Sequence, residues 1–354
     1  MPNPSLLPGA PAPPAAARLR NADAFLATRG LTRAGLDELM RAKTGDARHL
    51  LLTSSPVHGI ANATSDIDFI RVEDHAVQGA RMATQLFEQD QHLEAVSYGA
   101  AEVDDALADL AKAAALDPAD VVLAHQGWDK GHELRRKYLE RLINGLSLDG
   151  SSPYLEHLPQ LARVWKWSAL HTAVRHVFHL RLAEAAGESR GSAGYALGAL
   201  LHLADAALSH AGDVYSNRKW FLLRWQRFLA AGTADGTALA PFADRLTDLD
   251  LRVRQALRGE SGAPLAPAFA AALAELFEIA GEGHEPALLL DVAEDTRPLA
   301  FLPGASMLVG ATALFADAVP AVGRLAVTPG AELPADPAGL LSASRAGVLR
   351  LLPA

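Results

Sequence analysis

Asp66 and Asp68 stand two residues apart in Ser65-Asp66-Ile67-Asp68-Phe69, where acidic and apolar residues alternate. On an extended strand, side chains at this spacing share a face, so the pattern predicts two carboxylates converging on one site. Paired carboxylates are hard oxygen ligands of the kind magnesium takes when it also contacts substrate phosphates. Two such ions can brace both the attacking and the leaving oxygen of an in-line displacement. Upstream, Leu50-Leu51-Leu52 leads into Thr53-Ser54-Ser55-Pro56-Val57-His58-Gly59, a turn of mostly small residues. Small residues let backbone N–H groups and hydroxyls approach phosphate oxygens closely. Asp-x-Asp alone equally describes an exposed strand edge after an ordinary loop; the turn ahead of it adds the chemical use.

The flanking elements are legible in the periodicity. Ala24 to Lys43 has helical spacing, with Thr32 as a cap and Gly45 as a stop. The runs around Leu50–Leu52, Ile67–Val72 and His92–Tyr98 suit strands, whereas His75–Gln89 and Val103–Ala115 read as helices. From Pro118 to about Ala280 the pattern is helical, over Val121–Leu146, Tyr154–Ala186, Ala193–His210, Arg218–Ala231, Pro241–Leu257 and Pro267–Ala280. Beyond Gly281 three short runs have strand character, and the Pro/Gly-rich stretch after Val327 suggests loop. The predicted class is α+β: a flexible Pro/Ala-rich tail over 1–20, an α/β domain with a short mixed sheet over 21–117, a helical-bundle domain over 118–283, and a C-terminal extension with β character over 284–354.

Composition narrows the functions. The 354 residues carry 32 basic and 41 acidic side chains, a net charge of −9, which disfavours sequence-independent binding to nucleic acid. There are no cysteines, so disulfides, thiolate metal sites and cysteine nucleophiles are excluded. No basic segment precedes an apolar run at the N-terminus, and no apolar stretch is long enough to span a bilayer, so the expected location is cytoplasmic, away from membranes. Walker A, Gly-x-Ser-x-Gly, His-Glu-x-x-His and strand-linked Gly-x-Gly-x-x-Gly patterns are absent.

The stretch from Leu50 to Ile70 resembles the signature of the polymerase-beta-type nucleotidyltransferase superfamily: an apolar strand, Gly-Ser, a spaced glycine, then Ser-Asp-x-Asp. Ser55 stands at the signature serine, Gly59 at the glycine, and Ser65-Asp66-Ile67-Asp68 at the acidic motif. Ser54 departs from the pattern, placing a Cβ where glycine usually allows close phosphate approach. The resemblance implies an N-terminal nucleotidyltransferase-type α/β domain, with nucleotide and acceptor held in a cleft against the helical domain. It implies magnesium-dependent transfer of a nucleoside monophosphate from a nucleoside triphosphate to a small-molecule hydroxyl, releasing pyrophosphate. Two magnesium ions would be bound by Asp66 and Asp68, with Ser54, Ser55, Gly59 and Ser65 around the phosphates. The aminoglycoside-type small-molecule enzymes are closest in architecture. A third carboxylate, on a nearby strand, usually completes the metal site or acts as base, and Glu94 is the candidate; it also reads as a solvent-facing strand glutamate.

In the helical half, Asp213-Val214-Tyr215-Ser216-Asn217-Arg218-Lys219-Trp220 loosely resembles a cleft-facing Tyr-x-x-x-Lys-Trp segment of those enzymes. Lys219 would then neutralise phosphate charge, with Tyr215 and Trp220 packing on substrate or base; an amphipathic helix start with Trp220 in the core is the structural alternative. His171, Arg175 and His179 share one helical stripe, on which Arg175 lining a phosphate cleft is favoured over zinc. Two other functions are open: nucleotidylation of a protein or peptide partner, and nucleotide binding without catalysis.

Overall fold

The computed structural model describes residues 14–62, 64–77, 83–88, 90–128, 134–217, 220–230, 232, 237–260, 262–293, 297–302, 305–309, 313–316 and 323–354. The fold is mixed α+β, with a five-stranded mixed sheet in the N-terminal part and helices beyond it. Two compact units form: one takes in residues up to Leu116 with Ala124–Val164 and Gly212–Arg224, the other Asp117–Leu123, Trp165–Ala211 and Trp225–Ala354. The first unit therefore draws on segments beyond the 21–117 stretch expected to fold together.

In the first unit, helices α1 (Pro14–Ala27) and α2 (Arg33–Thr44) precede β1 (His49–Leu52) and β2 (Ile67–Glu73). The helical spacing over Ala24–Lys43 divides between two helices, because the chain breaks at Gly30, whose φ of 68° suits a residue without Cβ. Thr32 then caps α2, its side chain accepting from the Gly35 N–H at 3.1 Å. The helical part of the expected tail, from Pro14, belongs to α1. Strands β3 (Thr84–Glu88) and β4 (Gln91–Gly99) form a hairpin, followed by α3 (Ala100–Ala114). Of the helix expected over His75–Gln89, Thr84–Glu88 is a strand, and residues 78–82 and 89 lie outside the described residues. Thr84-Gln85-Leu86-Phe87-Glu88 pairs antiparallel with β4 through the turn at Asp90, and pairing overrides a weak local preference. Helix α4 (Pro118–Gly127), a π-helical turn over Leu134–Tyr138, α5 (Leu139–Asn144) and β5 (Leu146–Ser147) replace the single helix expected over Val121–Leu146. At the end of α5, a Cβ on Gly145 would meet the Leu51 side chain at 3.0 Å, so glycine permits the close approach that lets β5 pair with β1.

The sheet order is β3-β4-β2-β1-β5, with β2 and β4 parallel and the other pairs antiparallel. One face, carrying Leu50, Leu52, Ile67, Phe69, Leu93 and Ala95, packs with Leu26, Leu36 and Met40 of α1 and α2. The opposite face holds Ile70, Val72, Val96 and Tyr98 buried, and α3 contacts β2 and β4. Asp68 and Glu94 lie on this second face, at the end where β2 and β4 begin.

The second unit contains most of α6 (Leu158–Ala185), α7 (Ser189–His210), most of α8 (Phe221–Ala230), α9 (Leu239–Leu257) and α10 (Ala266–Ala280). Helices α7, α9 and α10 pack mutually around Leu200, Leu203, Phe242, Leu246, Phe269 and Leu273. The C-terminal strand-like runs form β6 (Ala287–Val292), β7 (Arg297–Leu302), β8 (Ala305–Val309) and β9 (Ala313–Ala316). They are joined by β10 (Gly323–Ala326) and β11 (Leu349–Pro353) in two three-stranded sheets. The region read as loop after Val327 contains α11 (Pro337–Arg345), capped by the Asp336 side chain. Among the described residues no helix is long and apolar enough to cross a membrane.

Candidate functional site

The acids do not emerge from one strand, as their spacing predicted. Asp68 lies in β2, but Asp66 precedes its first residue and is exposed. Its Oδ1 accepts a hydrogen bond from His92 Nδ1 at 2.8 Å. Arg29 holds the loop that carries it: one guanidinium nitrogen donates to Ser65 O at 2.6 Å and Asn62 O at 3.3 Å, the other to Gln91 Oε1 at 2.7 Å. Within the loop, Asn62 Oδ1 accepts from the Thr64 N–H and from the Thr64 and Ser65 hydroxyls, an Asx-type turn. Glu94 stands directly opposite Asp68 in the parallel β2–β4 register. Paired positions in a sheet send their side chains to the same face, so these two carboxylates project together.

The turn between β1 and β2 is anchored at Asp68: the Thr53 N–H donates to Asp68 O at 2.9 Å and the Thr53 hydroxyl at 3.2 Å. Ser54 follows with φ 62°, the left-handed conformation in which glycine is unstrained and a Cβ costs about 1–2 kcal/mol. A glycine would adopt this conformation without strain, and Ser54 holds it despite its Cβ. The Ser54 hydroxyl is buried with no partner among the described residues. Gly59 also has positive φ, 66°, and a Cβ there would lie 2.8 Å from the Asn21 side chain.

Ser54, Ser55, Ser65, Asp66, Asp68 and Glu94 line a cavity of about 780 Å³ within the first unit, and Tyr215 and Trp220 line it too. Gly59 does not; it borders a separate cavity of about 610 Å³ against α1, so its role in the turn is conformational. Lys219 lies outside the described residues. Arg175 belongs to α6 in the second unit and is not among the cavity's lining residues. Its surroundings are His171 and His179, whose imidazoles burial, aided by the Arg175 charge, pushes down to about 4.

Arg141 and Tyr138, to which the spacing of the sequence drew no attention, complete the wall. Arg141 Nη1 lies 3.9 Å from Asp68 Oδ2, and its guanidinium sits 5.4 Å from the centre of the Tyr138 ring. The available signal was Tyr-x-x-Arg, which puts both on one helical face. The π-helical turn ending at Tyr138 changes the helical phase just before α5, a distortion common at functional sites. Beside the Tyr215 segment, Arg224 is buried; its guanidinium donates to the carbonyls of Asp213 and Tyr215 and pairs with Asp213 at 3.3 Å. Tyr215 is buried by this arrangement, and burial pushes its hydroxyl well above the ordinary tyrosine range, the negative charge of Glu140 adding to the effect.

Among the described residues, no three His, Asp or Glu side chains gather closely enough to hold a metal ion. The donor chemistry nevertheless fits a hard divalent cation at Asp68 and Glu94, two carboxylates in register on a polar cavity wall. Asp66 would join them only on leaving His92.

A family model, described as a family of unknown function, DUF6001, matches residues 11–354. The chain belongs to that family. The match spans the β1–β2 turn, the acids, α5 and the Tyr215 segment, so the whole cavity lies within the family's extent. No curated protein matches the chain.

Proposed function

We propose that the chain is a nucleotidyltransferase that moves a nucleoside monophosphate from a nucleoside triphosphate to a small-molecule hydroxyl. The observation that carries this reading is the placement of Asp68 opposite Glu94 in one cavity with the left-handed Ser54 turn. In the reaction, the acceptor oxygen forms a bond to the α-phosphorus while the bond to the bridging oxygen of the β-phosphate breaks. Pyrophosphate leaves, and the acceptor's hydroxyl proton passes to a carboxylate, for which Glu94 is the base nearest Asp68 in register. Asp68 and Glu94, joined by Asp66, would hold magnesium, which when bound neutralises phosphate charge and polarises the phosphoryl oxygens. The Ser54 and Ser55 backbone and the Ser55 hydroxyl receive phosphate oxygens, and Arg141, on the same cavity lining, balances their charge. Tyr138 and Trp220 offer aromatic faces to a base or acceptor ring, with Tyr215 buried behind the lining.

A second reading, nucleotide binding without transfer, is supported by the engagement of Asp66 with His92. Calorimetric titration of each ribonucleoside triphosphate with magnesium tests both readings, on the native protein and on an Asp66→Asn/Asp68→Asn double variant. Magnesium-dependent binding by the native protein that the variant loses supports the site; equal binding by both rejects it. Pyrophosphate release with a panel of polyhydroxylated acceptors then separates transfer from binding alone.

A further inference from the structure

Glu140, at the start of α5, takes no part in the proposed chemistry, yet only 1% of its surface is exposed. Its two carboxylate oxygens face different segments. Oε1 accepts from His58 Nε2 at 3.1 Å and from Asn144 Nδ2 at 2.9 Å. Oε2 accepts from the Ser216 N–H at 3.3 Å and the Ser216 hydroxyl at 3.1 Å. Asn144 extends the link, donating to Val214 O at 3.0 Å and accepting from Arg18 of α1. The His58 ring also lies 4.5 Å from that of Tyr215. One buried carboxylate thus joins the turn that carries Ser54 and Ser55 to the segment that carries Tyr215 and Ser216.

We propose that Glu140 is a positioning residue that couples these two walls of the cavity, so that neither moves without the other. A buried carboxylate is retained only with partners for its lone pairs, and here every partner belongs to α5 or to one of the two walls. Burial alone would raise this carboxyl, but hydrogen bonds from His58 and Asn144 and the His58 charge hold it below the ordinary glutamate range. Glu140 is therefore a charged acceptor toward both walls at once. An amide cannot do the same: its oxygen would serve one wall while its NH2 met donors on the other. Because Arg141 follows Glu140, the same anchor also sets how α5 presents its cation to the cavity. As a statement about nucleotide binding, this coupling rests on the transferase reading; as a statement about the walls it is tested independently.

The test is amide hydrogen exchange on the full-length protein and on Glu140→Gln, His58→Gln and Ser216→Ala. Glu140→Gln is expected to raise exchange in residues 54–60 and 213–217 together by about tenfold, the effect of one unpaired buried donor, and to leave β4 unchanged. The decisive result is the cross-response: Ser216→Ala, which reaches the turn through Glu140, loosens 54–60, while His58→Gln, whose ring also meets Tyr215 and Asp213 directly, loosens 213–217 in either case. If Ser216→Ala perturbs only its own segment, or if β4 exchanges faster in parallel, the coupling is overturned. Should Glu140→Gln not fold, Ser216→Ala still decides. Mg-ATP and Mg-GTP titrations run alongside. Binding by the native protein that weakens about tenfold in Glu140→Gln extends the coupling to the nucleotide site, and unchanged affinity removes that extension. If the native protein binds neither nucleotide while the cross-response is present, the transferase reading fails and the coupling stands.

Discussion

Asp68 and Glu94 occupy the same rung of the parallel β2–β4 ladder, and both carboxylates face one cavity. Two like charges held together in register repel, and a divalent cation between them relieves that repulsion. Removing either charge should therefore weaken magnesium-dependent nucleotide binding by at least about tenfold, or 1.4 kcal/mol. Calorimetry on Asp68→Asn and Glu94→Gln checks this. The stability of Glu94→Gln without magnesium should equal or exceed that of the native protein, because the repulsion has been removed, whereas Asp68→Asn also gives up the Arg141 contact.

Ser54 carries a Cβ in a left-handed backbone conformation. Ser54→Gly should stabilise the protein by up to about 1 kcal/mol, since relief of strain outweighs the greater freedom of glycine in the unfolded chain. Ser54→Val should destabilise by at least a similar amount, because β-branching is poorly tolerated at positive φ. Urea midpoints of the three proteins decide. A glycine variant less stable than the native protein would contradict the assignment of strain.

Arg29 acts on the acid-bearing loop through its bonds to Ser65 O and Asn62 O. Arg29→Ala should lower stability by about 1–3 kcal/mol, the range for losing charged hydrogen bonds, and should speed amide exchange across residues 62–66. Arg29→Lys should recover only part of either effect, because an ammonium cannot reproduce the fork that reaches both the loop and Gln91. Protection that is unchanged in Arg29→Ala would show that the loop is held by its own Asx turn.

His171 and His179 of the second unit have imidazoles pushed down to about 4 by burial and by the Arg175 charge. The unfolded chain binds protons near the ordinary histidine value of about 6.5, before the folded one does. Their contribution is therefore complete above that pH and falls as pH drops from about 6.5 to 4, by up to about 3 kcal/mol for each group. Urea midpoints between pH 8 and 4 should decline over this window, and a His171→Gln/His179→Gln variant should show a shallower decline. A flat profile in the native protein would exclude buried neutral imidazoles.

Much of the sheet was legible because its strands obey local rules. Leu50–Leu52 is a short apolar run, Ile67–Val72 places Ile67 and Phe69 toward α1 and α2, and Thr32 and Gly45 bound a helix by capping chemistry. The small-residue turn and the Asp-x-Asp spacing were equally local. Tertiary structure decided the rest. Register set Glu94 against Asp68, and pairing with β4 made Thr84–Glu88 a strand despite its helical look. Long-range hydrogen bonds turned Asp66 toward His92, and Glu140 joined the Ser54 turn to the Tyr215 segment. Arg175 and Arg141 show the limit clearly: both are arginines on predicted helices, yet only Arg141 lines the cavity. Periodicity reports which face of a helix is buried, not which neighbour it meets, because that choice depends on packing between residues far apart in the chain.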